Sequence, residues 1–547
     1  MALSNYIWVP IMGAVFAFVA SMGMGGNDVA NSFATSVGAK ALTMRQVILI
    51  ASICEFSGAM LLGSHVTETI KGGIIIGELF KDNPVELMYG MCTVLFGCAV
   101  WLIASTLWSL PVSSTHTCIG GMLGMAIVSK GIHSVNWKTV INVICSWFYT
   151  PVIAGIISYL LFKLIRATIL MKEKSFTYSL YFFSPMVAIT LAINFFVVIY
   201  QGCPWLPFNF TIWQAAGVSV GVATVIGITI HFACVPCLRR RSLKAEEEKN
   251  SQIREALIPP PEDTAVVNVP ESKPAGEKVE SGVSGEAIES KPTEETRSAS
   301  ELPLSSEPTT VMNNTLKPVP AEKKTTKGDV FASLESDSKV AEIHKNAEEY
   351  DIKTEKVFVS LQILAAILNS FAHGANDVSH SIGPFAACIA IYSTGRVDDT
   401  SPSPPWVLAF GAVGIILGLA IMGYKVVATV GVNLVTVTPC RGFFIELAAS
   451  FVVIVASRIG LPLSTTQCKI GAAVGVGLVG GSESVNWKLF LRIFLGWVAT
   501  IFIAAIVSAL LMVIGVWAFH LNYTCLFISF KSSVSESLFT KVVNCGN

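Results

Sequence analysis

Gly25-Gly26-Asn27-Asp28-Val29-Ala30-Asn31-Ser32 breaks into an apolar run that starts near Tyr6, placing two glycines, two amides and a carboxylate inside an expected membrane helix. A carboxylate at that depth is expensive and marks a functional position. The pattern returns as Gly374-Ala375-Asn376-Asp377-Val378-Ser379-His380-Ser381, with Asn27 and Asn376 offset by 349 residues. The chain is therefore read as two halves.

Two further stretches keep the same spacing. Val112-Ser113-Ser114-Thr115-His116 recurs as Leu463-Ser464-Thr465-Thr466-Gln467 at an offset of 351, and Ser134-Val135-Asn136-Trp137-Lys138 recurs as Ser484-Val485-Asn486-Trp487-Lys488 at an offset of 350. Three matches at nearly one offset indicate a duplicated unit.

Composition sets the medium. The 547 residues are 52% hydrophobic and 14% charged, with a mean hydropathy of +0.63, which describes a polytopic membrane protein rather than a soluble domain. Basic and acidic residues balance at 37 each, so no net charge points to nucleic acid. The 13 cysteines are scattered, several within apolar runs; Cys234-Val235-Pro236-Cys237 has the bare spacing of a metal or redox pair but lies at a membrane edge, where small buried hydrophobes or lipidation sites are the competing reading. The N-terminus lacks the basic start and small-residue exit of a cleaved signal, and its apolar stretch reads as the first membrane helix.

Runs long enough to span, about 20 residues each, cover Tyr6 to Met24, Val47 to Gly63, Leu87 to Trp108, Trp137 to Phe162, Leu180 to Tyr200 and Ile212 to Cys234. In the second half they cover Val357 to Phe371, Ile382 to Tyr392, Trp406 to Tyr424, Phe443 to Ile459, Ile470 to Val479 and Leu489 to Phe519. The glycine-rich piece from Leu110 to Val128 reads as a re-entrant arm. The expectation is an all-α polytopic membrane protein of two inverted-topology repeats with broken helices and re-entrant hairpins, about 12 membrane segments in all. Residues 1–235 form the first repeat with its connecting helices, 236–353 a linker, 354–521 the second repeat and 522–547 a tail. The linker, rich in Lys, Glu, Ser, Pro and Thr, cannot bury enough apolar surface to offset its ordering entropy and is expected to be disordered; its end, Val330 to Asp351, reads as a charged surface helix.

Charge gives orientation. Lys163, Arg166, Lys172 and Lys174 fall in one loop and Arg239 to Arg241 in the loop two crossings later, so both read as cytoplasmic. The sequon Asn209-Phe210-Thr211 is then outside, and use of Asn522-Tyr523-Thr524 would put the C-terminus outside too, which inverts the second copy.

Inverted repeats with broken helices set binding sites near the midplane, where helix N-termini face anions and unwound backbone faces cations. Asn27, Asp28, Asn376 and Asp377 are hard oxygen ligands suited to a small cation. Ser113, Ser114 and Thr115, with Ser464, Thr465 and Thr466, open helical pieces after Pro111 and Pro462, where backbone N–H groups and hydroxyls can cradle an oxyanion. A single copy of either motif reads equally well as helix capping; two copies of both favour binding. Glu55 and Glu446 also lie in apolar sequence, at positions the repeat does not relate. Each can ligate sodium, carry a proton or pair with a base such as Arg45 or Arg441. His65 and His116 read either as proton carriers or as satisfied polar residues.

These motifs resemble the inorganic phosphate transporter family of sodium–phosphate cotransporters, over roughly Tyr6 to Gly131 and Val357 to Phe519. The resemblance implies a sodium-coupled carrier of inorganic phosphate in the plasma membrane, with extracellular termini and a cytoplasmic central loop. It needs no cofactor beyond sodium as co-substrate, acts on no nucleic acid, and is compatible with a homodimer in the lipid bilayer. It assigns Asn27, Asp28, Asn376 and Asp377 to sodium and phosphate, Ser113, Ser114, Thr115, Ser464, Thr465 and Thr466 to the phosphate turns, and Glu55 and Glu446 to transport coupling. Gln467 departs from the histidine the family carries in its second turn. Competing readings are proton coupling, another oxyanion such as sulfate, a non-transporting phosphate sensor, and an enzyme with a Ser114–His116–Asp28 triad.

Overall fold

A computed structural model of the chain describes residues 3–73, 75–201, 210–257, 329–397, 404–458 and 463–543; within these, the side chains of 62–73, 375, 376 and 517–543, among a few others, fall outside the description. The first half holds α1 (Trp8–Met24), a π-helical turn (Gly25–Val29), α2 (Ala30–Gly38), α3 (Met44–Gly73), α4 (Pro84–Leu107), α5 (Ser114–Lys130), α6 (Trp137–Ile165), α7 (Ser175–Gln201) and α8 (Ile212–Leu257). After the short α9 (Ser333–Ser336) and α10 (Ser338–Lys345) come α11 (Ile352–Asn376), α12 (Val378–Thr394), α13 (Pro405–Met422), α14 (Tyr424–Ala428), a π-helical turn (Thr429–Asn433), α15 (Pro439–Arg458), α16 (Thr465–Leu478) and α17 (Trp487–Val543).

Among the described residues nine helices are long and apolar enough to cross a membrane. They carry large apolar side chains outward as well as inward, Ile53, Phe148, Leu495 and Phe502 among those exposed, as a helix facing lipid on one side and protein on the other must. Helices α5 and α16 fall short of about 20 residues, and α15 carries Arg441 and Glu446, so these three enter the unit without counting as spans on composition. The two runs expected at Val357 to Phe371 and Ile382 to Tyr392 are one helical path, interrupted at Asp377.

Packing shows the duplication and its inversion. Gly120 and Gly124 of α5 face the carbonyls of Ile501 and Ala505 on α17, while Gly471 and Gly475 of α16 face those of Pro151 and Gly155 on α6. Both are G-x-x-x-G faces, and the partner positions are offset by 350; a Cβ at any of these four glycines would overlap backbone, so close approach requires glycine. Each repeat thus lends its hydroxyl-tipped helix to the other's long helix. Two isolated bridges, Ile75 to Val135 within the first repeat and Val435 to Val485 within the second, are a further duplicated feature. Direction follows from contacts along α1: Gly13 lies against Phe385 and Cys388, and Ser21 donates to Ser381 Oγ at 2.9 Å. Rising numbers on α1 meet falling numbers on α12, so the second repeat's broken helix runs antiparallel to the first's.

Two boundaries differ from expectation. Helix α8 continues through Pro236 to Leu257, so a boundary at 235 falls inside a helix. The end of the linker is folded back as α9 and α10: Val340 and Ile343 are buried, Ser333 donates to Asn433 Oδ1 at 2.5 Å, and Lys40 sits 5.1 Å from the Phe331 ring centre. Residues 258–328 and Asn209 lie outside the described residues, and the side chains of His65 and Asn522 are likewise undescribed.

A candidate cation and oxyanion site between the repeats

The π-helical turn at Gly25–Val29 buries Asn27 and Asp28, and neither caps a helix. Both ends of the Asn27 amide are committed: Nδ2 donates to Thr106 Oγ1 at 3.2 Å and to the Leu110 carbonyl at 3.0 Å, and Oδ1 accepts from Val112 N–H at 2.9 Å. Asn27 therefore fixes the extended strand that delivers Ser113. Asp28 accepts from Thr466 Oγ1 at 3.2 Å with Ser114 near it, while its Oδ2 has no hydrogen-bond partner among the described residues.

Asp377 reaches the same place from the other repeat. Its Oδ2 lies 2.8 Å from His373 Nε2 and accepts from Thr465 Oγ1 at 3.3 Å. Ligand atoms of Asp28, His373 and Asp377 all fall within 4.8 Å of one another, and all three residues are buried. Two carboxylates at that separation repel by roughly 3 to 4 kcal/mol at an effective dielectric of about 20. A small cation between them removes that repulsion.

The two hydroxyl turns divide their labour. Ser113 and Ser464 are N-caps, accepting from His116 N–H and Gln467 N–H, each at 3.3 Å. Ser114, Thr465 and Thr466 stand at the next positions and turn toward the carboxylates, so α5 and α16 both aim their positive ends at the site. Thr115 is half-buried. The Asn376 side chain lies outside the described residues. His116 is buried with no partner for either ring nitrogen among the described residues, so no Ser114–His116–Asp28 relay is formed.

The two glutamates pair with residues that the repeat motifs did not flag. Glu55 accepts from Ser370 at 2.8 Å and meets His373 Nδ1 at 2.9 Å, which places His373 between Glu55 and Asp377. Glu446 accepts from Thr35 at 2.6 Å, from Lys469 Nζ at 2.6 Å and from Asn369 Nδ2. A pairing base such as Arg45 or Arg441 is one of the three readings for each glutamate. His373 and Lys469 take that place, and the available signal was an ionisable residue inside an apolar segment.

A pair of inverted membrane repeats meeting at buried carboxylates, with two helix N-termini aimed at them, defines a secondary transporter. The model of the phosphate transporter family matches residues 24–508, and the chain belongs to that family, one of transporters rather than enzymes. It is 31% identical to sodium-dependent phosphate transporter 2 of Cricetulus griseus, with 94% of this chain and 99% of that protein covered. It is also 30% identical to sodium-dependent phosphate transporter 1-A of Danio rerio, with 93% and 95% covered. A solved structure described as the sodium-dependent phosphate transporter superposes with a TM-score of 0.67 at 28% identity, covering 94% of this chain and all of that one.

Proposed function

We propose that this integral membrane protein imports inorganic phosphate together with sodium by alternating access. The observation that carries the reading is the convergence of Asp28 and Asp377, one from each repeat, with Ser114, Thr465 and Thr466 beside them. Three carboxylates, Asp28, Asp377 and Glu55, gather round His373, with His380 Nδ1 3.9 Å from Asp377 Oδ1; the carboxylates outnumber the imidazoles, so a bare anion meets net repulsion and a cation has to load first. Sodium bound at Asp28 and Asp377 converts the site into one that accepts phosphate, whose oxygens the hydroxyls and free N–H groups of α5 and α16 then hold. Glu55–His373 and Glu446–Lys469 couple this occupancy to neighbouring helices. The sodium-dependent naming of the relatives supports the same coupling ion.

The basic cluster at Lys163, Arg166, Lys172 and Lys174 orients the linker to the cytoplasm and both termini outward, in the plasma membrane. The test is labelled phosphate uptake in proteoliposomes with sodium or choline outside, across a pH series. Uptake should need sodium and fall at least tenfold in D28N and in D377N, a change of about 1.4 kcal/mol or more. Equal uptake in choline would overturn the choice of ion, and normal sodium-driven flux in both variants would remove the site.

A further inference from the structure

A polar cavity of about 230 Å³ opens at the far end of α16, between the last turn of α6, the start of α15 and residues 346–350 of the returning linker. By helix rise it lies about 20 Å from Thr465 and Thr466. Two guanidinium groups and one carboxylate line it, and their bonding is unequal. Arg166 is fully matched to Glu348, Nε to Oε2 at 2.7 Å and Nη2 to Oε1 at 2.9 Å, and Tyr350 donates to the same carboxylate at 2.8 Å. That pair is neutral. Arg441 makes no ion pair with the cavity's carboxylate: Nη2 donates to the Glu348 backbone carbonyl at 2.8 Å and the guanidinium lies 5.2 Å from the Tyr350 ring centre. Its Nη1 is buried with no acceptor among the described residues, and the whole residue is 7% exposed.

A guanidinium keeps its charge at any physiological pH, and a buried charged donor left unfilled is costly. The Glu355 carboxylate lies near Arg441, its Oε2 accepting from the adjacent Cys440 N–H at 2.9 Å, but it does not reach Nη1, so the cavity wall keeps one charged donor with no acceptor among the described residues. The C-terminal carbonyls of α16 would repel an anion, but those of Val476, Gly477 and Leu478 already accept from the amides of Val479, Gly480 and Gly481. Thr436 and Ser484 add hydroxyls to the wall. The volume suits one phosphate group with a few waters and is below the roughly 300 Å³ at which drug-sized ligands begin.

We propose that this cavity is a second anion site, separate from the one between the repeats, that takes a single phosphate group through Arg441. Its occupant ties the returning linker to α6, α15 and α16. Free inorganic phosphate and a phosphomonoester lipid headgroup offer the same chemistry, and the experiment distinguishes them. Full-length protein in phosphatidylcholine vesicles is titrated with labelled inorganic phosphate in sodium-free medium. A second arm uses vesicles containing phosphatidic acid and no free phosphate, reading hydrogen-exchange protection of residues 340–350. Wild type should bind or be protected in at least one arm. R441Q and S484E, the latter adding a carboxylate to the cavity wall that Arg441 also lines, should each weaken the effect at least tenfold, and R441K should restore part of it. An effect in the first arm assigns free phosphate, and one confined to the second assigns the headgroup. Wild-type silence in both arms, unchanged binding in R441Q, or loss in R441Q with S484E unaffected overturns the site.

Discussion

A carboxylate buried inside a membrane protein persists as an ion only where something answers its charge. Glu446 is answered by Lys469, whose ammonium also donates to the Ser32 carbonyl at 3.3 Å. Replacing either partner alone strands the other, a loss of about 3 to 5 kcal/mol. K469M should therefore melt well below wild type in detergent, E446Q likewise, and the double variant should recover much of the loss. A double variant no more stable than K469M would show that the pair is not the stabilising unit. Neither Lys469 nor His373 belongs to a duplicated motif, for a physical reason. The repeat places Cys118 where Lys469 stands and Met24 where His373 stands, so symmetry reveals shared cargo ligands and conceals residues present on one side only. Asp28 and Asp377 were legible because both repeats carry them.

Helical elements were legible wherever hydrophobicity sustained them and less so where charge took over. The stretch after Pro236 cannot build a core, and that excludes burial without excluding helix: its Arg, Lys and Glu are good helix formers, and α8 continues on them to Leu257. At the other end of the linker, Val340 and Ile343 lie three apart on one face and seat α10 against the unit. Its docking has an electrostatic component. Arg166 bonding holds the Glu348 carboxyl below its ordinary pKa, so the pair stabilises docking fully above the usual carboxylate range and is lost as pH falls through the lowered value. Partial exposure limits the contribution to about 1 kcal/mol or less. Protection factors for hydrogen exchange across Ser338–Lys345, taken relative to the intrinsic rate at each pH, should stay high from neutral pH down to that range and fall below it. E348Q should exchange faster at neutral pH and lose this dependence; a wild-type profile in E348Q would exclude the pair.

At the scale of the molecule, the same docking bears on the linker. Removing residues 258–328 spares every contact described for α8, α9 and α10, so sodium-driven uptake should remain within about twofold of wild type, whereas a deletion extended through 350 also removes the Glu348 and Tyr350 contacts to α6 and α15 and should lower it further. If the protein were a phosphate sensor acting through its linker, the shorter deletion would abolish signalling in a parent that shows no uptake.

The inverted repeats also imply what the other half of the transport cycle looks like. Thr466 of the second repeat bonds Asp28 of the first, but among the described residues its counterpart Thr115 makes no bond to Asp377. A structure built from two equivalent halves has an alternative arrangement of similar energy in which the halves exchange roles. In that arrangement Thr115 is expected to bond Asp377 and Thr466 to be released. T466V then removes a bond found in only one arrangement and shifts the population toward the other, while T115V shifts it the opposite way. A bond worth about 1 kcal/mol changes the ratio roughly fivefold. Cysteine-accessibility labelling from each side of the membrane reads that ratio directly. Opposite shifts in the two variants support the exchange; shifts in the same direction would mean that these threonines serve the site without distinguishing its two faces.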